Sequence, residues 1–173
     1  WRFVVALAVM GVLVLLGVVR LKLSGKDIKP LLAVAVFSPA LYFIGETFGI
    51  RDTTASESGV FLACIPVASL LASALILKEK PTKRQAAGIL LTLAGVLMTV
   101  IAVGAAASLS LPGYAMLLLA VVSYALYSIS VRRAQAYTGV EITFVMLAFG
   151  AAVFGALALG EAMAARDLPG LLR

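Results

Sequence analysis

The chain contains no histidine and a single cysteine, Cys64, which sits inside an apolar run. Those two shortages exclude a disulfide framework and a zinc site built from thiolates and imidazoles. Charge is scarce too: 13% of the 173 residues carry it, where an ordinary soluble domain has roughly 25%. No Gly-x-x-x-x-Gly-Lys-Ser/Thr sequence is present to cradle a nucleotide phosphate. What fills the space is apolar: hydrophobic residues make up 63% of the chain and the mean hydropathy is +1.13. A soluble fold of this length could not bury that much apolar surface.

The few charges are grouped. Residues 3–19, 30–45, 58–77, 86–131 and 142–160 hold none, and each stretch is long enough to cross, or nearly cross, a bilayer core of roughly 30 Å. The run 86–131 is far longer than one crossing needs and must turn once, with Gly104, Ser108, Ser110 and Pro112-Gly113 supplying turn chemistry. Six spans result, at about 3–21, 30–50, 55–77, 86–103, 112–131 and 141–160. They are expected to be helices, because a segment in lipid must satisfy its own backbone hydrogen bonds. A barrel would need short alternating strands, which these runs are not. The fold class is therefore an all-α polytopic membrane protein.

Six spans put alternate gaps on one side. The first gap holds Arg20, Lys22, Lys26 and Lys29, the third Lys78, Lys80, Lys83 and Arg84, and the fifth Arg132 and Arg133. The even gaps contribute only Arg51 and Arg166, with Arg2 and Arg173 near the chain ends. The positive-inside rule makes the gaps near 22–29, 78–85 and 132–140 cytoplasmic, in a cell (inner) membrane. The net charge of +6 thus reflects topology, and nucleic acid is not an expected partner. The first span then runs outside to inside. With Trp1 rather than Met at the start and a polar stretch at 165–170 before Arg173, the chain reads as a fragment.

Polar residues inside the spans are the candidates for function, since each is costly in lipid without a partner or a wet cavity. Ser38, Tyr42 and Glu46 follow one another at four-residue spacing and share a helix face. Glu46 and Glu57 both lie near the outer leaflet, flanking the turn Arg51-Asp52-Thr53-Thr54. Either could line a pathway, couple protons or receive an amine; either could instead snorkel outward or pair with Arg51. Tyr124 and Tyr127 share a face of the fifth span with Ser128 and Ser123 a turn away, and a buried phenol needs a hydroxyl partner in a cavity or on a neighbouring helix. Pro39 and Pro66 fall near the centres of their spans, where each removes a backbone donor and makes either a hinge or a static kink. Gly88, Thr92, Gly95 and Thr99 form a small-residue stripe that reads as helix packing. Glu79, among Lys78, Lys80 and Lys83, reads as a local structural partner. No metal-ligating cluster is expected.

The first and sixth spans align without gaps at an offset of 141, Arg2-Phe3-Val4 over Thr143-Phe144-Val145, and they run in opposite directions. Inverted repeats of this kind build transporters that alternate access around a midplane site. The third and fourth spans add Pro66, then Leu77-Lys78-Glu79-Lys80-Pro81-Thr82, then Gln85, Gly88 and Gly95-Val96. This stretch resembles the EamA family of the drug/metabolite transporter superfamily, whose pattern is a mid-helix proline, a Leu-Gly-Glu-x-x-Thr turn and a Gln-x-x-Gly…Gly-Val helix. Lys78 stands where that pattern frequently has glycine. The fifth span, from Leu111-Pro112-Gly113-Tyr114 to Ser123-Tyr124-Ala125 followed by Arg132-Arg133, looks like the opening helix of a second repeat.

The resemblance implies a ten-helix (5+5) inverted-repeat transporter. Residues 1–104 would be a first repeat lacking its first helix, and 105–173 the start of a second. It implies a secondary, non-ATP transporter of small metabolites such as amino acids or drug-like compounds, not an enzyme, with no cofactor. Its partners would be the lipid bilayer and a small-molecule substrate, with proton coupling and a homodimer left open. An integral subunit or sensor without transport, or an intramembrane enzyme, are the readings it competes with.

Overall fold

The computed structural model describes residues 2–19, 21, 28–103, 108 and 110–165. Arg20, most of the first basic gap (22–27), the Gly104 turn region (104–107) and the polar end with Arg166 lie outside the described residues. Every regular element among the described residues is helical. Five helical rods are long and apolar enough to span a membrane: Lys29–Arg51, Ala55–Ile76, Lys83–Ala102, Leu111–Arg133 and Gly139–Gly160.

The first helix, α1, covers Arg2–Leu15, shorter than the 3–21 expected. Gly17 ends it. Its φ of +74° is the left-handed geometry that glycine adopts without steric cost. The Gly17 N–H bonds the Val14 carbonyl at 3.0 Å and the Val18 N–H bonds the Leu13 carbonyl at 3.1 Å. This pair of bonds is a Schellman cap. Apolar composition continues past Gly17 but the helix does not.

The second rod is not uniform. It begins as α2 (Lys29–Ala35), loosens into a π-helical segment (Val36–Tyr42) and resumes as α3 (Phe43–Arg51). Pro39 lies inside the π segment. Without an N–H, and with a ring that crowds the carbonyl one turn back, proline does not fit regular α-winding, and the wider turn of this segment accommodates it. The third rod breaks into α4 (Ala55–Ala63) and α5 (Ile65–Ile76) at Cys64. Pro66 then sits in the first turn of α5, where its missing donor costs nothing. Past the end of α5 the chain turns through Lys78 at φ +56°, the left-handed geometry that glycine adopts at least cost.

The remaining helices are α6 (Lys83–Val103), α7 (Leu111–Arg133) and α8 (Gly139–Ala165). Three starts carry a reciprocal capping box: Thr54 with Glu57 for α4, Thr82 with Gln85 for α6, and Thr138 with Glu141 for α8. Ser110 caps α7 by accepting the Gly113 N–H at 3.2 Å.

Helix α7 is the centre of the bundle, packed against α2, the π segment, α3, α4 and α5. The closest crossing is with α3: a Cβ on Gly45 would stand 2.7 Å from the Met116 carbonyl oxygen, and one on Gly49 2.6 Å from Leu117 Cγ. This Gly-x-x-x-Gly pair, rather than the Gly88–Thr99 stripe, is where two helices meet backbone to backbone. On the opposite flank α8 packs against α1, α2 and the π segment. At one end Leu31, Val34, Ala134, Tyr137 and Ile142 form a buried core, and Glu79 pairs with Arg132. At the other end Gly113 seats against Thr53, and Glu57 bonds Tyr114. Odd gaps thus share one end and even gaps the other.

Candidate functional site

The stripe on the second rod meets the stripe on α7. Tyr42 donates its hydroxyl to Glu46 Oε1 at 2.9 Å along the helix, and its ring stands edge-on to Tyr124, centroids 5.4 Å apart. Tyr124 in turn meets Tyr127 at 5.3 Å, and Tyr127 packs on the buried core of the odd-gap end. In the other direction Tyr42 contacts Phe43 at 5.0 Å. Phe43 stands edge-on to Phe3, and Phe3 stacks on Phe154. The Arg2 guanidinium lies 4.4 Å from the Phe43 ring centre. Helix α1, the second rod, α7 and α8 therefore contribute to one line of rings with a carboxylate and a phenol at its middle. Ser38 is buried within the π segment, one turn from Tyr42.

Such an arrangement has definite chemistry. A half-buried carboxylate within an apolar span, bonded to a phenol and flanked by ring faces, can hold an amine or another organic cation, or can take up a proton. Of the residues singled out in the sequence, Tyr42, Glu46, Tyr124 and Tyr127 are brought together. The junction across helices, Tyr42 to Tyr124, carries no sequence signal.

Glu57 is placed differently. Oε2 accepts from the Thr54 N–H and hydroxyl, each at 2.8 Å, while Oε1 accepts from the Ser108 N–H at 3.0 Å and from the Tyr114 hydroxyl. It ties the start of α4 to the approach of α7, and neither Tyr42 nor Glu46 is among these partners. Arg51 pairs with its neighbour Asp52 at 3.0 Å, not with either membrane carboxylate. Glu79 bonds Arg132 at the end of α7, not the adjacent lysines, and Thr82 with Gln85, not Glu79, caps α6.

Thr92 and Thr99 each return their hydroxyl to the chain, bonding the carbonyls of Gly88 and Gly95 at 2.9 Å. The stripe they form lines two grooves. One, of about 350 Å³, lies between α5, α6 and α7, with Ser69, Ser73, Gln85, Thr92, Ser128 and Arg132 as its polar lining and Pro66 at its wall. The other, of about 430 Å³, separates α6 from α4 along Gly59, Gly95 and Thr99. Sequence reasoning missed Gly45 and Gly49, whose four-residue spacing was the available signal, and Glu141, 1% exposed at the start of α8, which Thr-x-x-Glu announces. Among the described residues no group of three or more Cys, Asp or Glu is placed to hold a metal ion.

Comparison with known proteins agrees with this architecture. Residues 1–101 match the EamA-like transporter family. An uncharacterized transporter of Bacillus subtilis, YcxC, is 36% identical over 160 residues, covering 91% of this chain and 51% of the relative. A second uncharacterized transporter, from the sor 3' region of Acidianus ambivalens, is 29% identical over 107 residues, 62% of this chain and 42% of that protein. The chain spans about half the length of the curated relatives it matches. No solved structure matches. With helices long enough to cross a bilayer several times and a family match over more than half its length, this polytopic membrane chain belongs to the EamA-like transporter family.

Proposed function

We propose that the chain works in a secondary transporter that moves small metabolites, such as amino acids or drug-like compounds, by alternating access between two inverted repeats. In this reading the substrate passes the Tyr42–Glu46 pair and the Tyr124–Tyr127 face, with Ser38 as a further polar contact. The protein sits in the cell's inner membrane with the gaps near 22–29, 78–85 and 132–140 in the cytoplasm. Pro39 within its π segment and the break at Cys64 just ahead of Pro66 soften the two rods that bound the pathway, and Glu57 latches the outer turn.

The observation that carries the reading is Glu46 itself: an acid within an apolar rod, bonded to Tyr42 at 2.9 Å and one ring away from Tyr124. Structural capping accounts for Glu57 and Glu141 but not for Glu46. A carboxylate kept in a span at that cost marks a pathway, a proton relay or a cation site. The test is uptake by the full-length protein in proteoliposomes across pH. Glu46→Gln is expected to fold and insert normally, to lose pH dependence, and to transport roughly tenfold more slowly, the equivalent of about 1.4 kcal/mol. Unchanged kinetics and an unchanged pH profile would remove Glu46 from the pathway and leave the cluster as packing.

A further inference from the structure

The groove between α5, α6 and α7 touches neither the Glu46 carboxylate nor the Glu57 latch, and its chemistry differs from both. We propose that it is a binding site for the headgroup of an anionic phospholipid, in which Arg132 is the phosphate ligand and Glu79 the internal competitor for that arginine. The proposal stands apart from the transport reading and does not depend on it.

Shape comes first. Helix α6 packs against α4 and makes no comparable contact with α5 or α7, so a cleft of about 350 Å³ remains beside α7. Gln85, Gly88, Ile89 and Thr92 line it over two turns of α6, which is a depth of roughly 10 Å. Arg132 and Gln85 stand at the end shared by the basic gaps, while Leu70, Ile89 and Pro66 continue the wall towards the membrane interior. Beside it the outer surface of α6, including Leu90 and Leu91, is apolar and exposed. An occupant matched to these walls has a polar head at one end and an apolar body at the other.

Charge selects the head. The chain segments that lead into and out of the helices at this end carry Lys78, Lys80, Lys83, Arg84, Arg132 and Arg133 in sequence, with Glu79 as the acid among them. Basic pockets between membrane helices at the cytoplasmic surface attract anionic headgroups for this reason. Among these residues Arg132 lines the groove itself. Its side chain is 45% exposed and bonds Glu79 through Nη1. A guanidinium has five donors in a planar fork, so donors remain for a phosphate oxygen, a geometry arginine meets better than lysine. Ser73, Ser128 and Gln85 add hydroxyl and amide groups for the rest of a headgroup.

The competitor makes the proposal testable in two directions. The full-length protein is purified in neutral detergent, mixed with phosphatidylglycerol or phosphatidylcholine, and the lipid retained is read by native mass spectrometry. Phosphatidylglycerol is expected to be preferred severalfold. Arg132→Gln should bring that preference close to parity, Arg132→Lys should lower it in part, and Glu79→Gln, by freeing the arginine, should raise it. Thr92→Leu fills the groove without altering charge and should also lower retention. Lys80→Gln, on the same turn but outside the lining, should change little. If Lys80→Gln costs as much as Arg132→Gln, the attraction is diffuse surface charge and the site is overturned. It is equally overturned if Thr92→Leu or Glu79→Gln leaves retention unchanged. Displacement of the lipid by millimolar inorganic phosphate would assign the groove to a soluble anion instead.

Discussion

At the scale of single residues, glycine divides the two helix faces that sequence alone would treat alike. Gly45 and Gly49 lie against the backbone of α7, while Gly88 and Gly95 face open grooves, with nothing within 4 Å of where a methyl group would stand. The offending atoms at Gly45 are the Met116 carbonyl oxygen at 2.7 Å and the Ala120 nitrogen at 2.9 Å, neither of which can swing aside as a side chain would. Gly45→Ala must therefore push α3 away from α7, an overpacking cost of about 1–3 kcal/mol. Gly95→Ala meets no such atom and is expected to be neutral or to stabilise by up to about 1 kcal/mol, the helix-propensity difference. Thermal melts of both variants in detergent check this, and equal effects would deny the α3–α7 contact its role. The same contrast measures what is legible in the sequence. Four-residue spacing puts Tyr42 with Glu46, and three-residue spacing places Tyr124 near Tyr127, because helix geometry is local. Which glycine pair meets a backbone, and that Tyr42 meets Tyr124, depend on how helices cross, and no local pattern encodes that.

At the scale of elements, the positions of the spans are readable from charge-free length, and their irregularities come from single residues with special backbones. Gly17 closes α1 well before the apolar run suggests by moving the chain to φ +74°. Pro66, expected near a helix centre, instead opens α5 behind a break at Cys64. Pro39 has the opposite outcome: the rod continues through it, but in π-winding. Two causes compete for that winding, the proline itself and the glycine contacts that hold α3 in register on α7. Regular winding would rotate α3 by up to about one residue's worth of turn, roughly 100°, carrying Gly45 off Met116 and Ala120. The return of one backbone hydrogen bond, worth about 0.5–1.5 kcal/mol, does not offset the loss of that crossing. Pro39→Ala is accordingly expected to keep the π segment and to change stability by no more than about 1.5 kcal/mol. A much larger loss in a thermal or denaturant titration would mean that the helix had rewound, with the proline as its controlling element.

At the scale of the whole molecule, alternate gaps gather at opposite ends through contacts far apart in sequence. Glu79 reaches Arg132 across 53 positions, joining the third gap to the fifth. Glu57 reaches Ser108 and Tyr114, joining the second to the fourth, where Gly113 seats on Thr53. These links agree with the even spacing of basic residues from which sidedness is read, and they are independent of it, since none of them is visible in the sequence. The orientation proposed above rests on charge: a membrane end that carries as many bases as Lys78, Lys80, Lys83, Arg84, Arg132 and Arg133 is expected to resist translocation. With Cys64 replaced, a cysteine at Asp52 or Ser56 should react with a membrane-impermeant thiol reagent in intact cells. A cysteine at Lys80 or Gln135 should react only after permeabilisation. Reversed labelling of both pairs would invert the orientation and keep the fold. Labelling that splits Lys80 from Gln135 would break the shared end, and with it the placing of Glu79 beside Arg132 at the proposed lipid site.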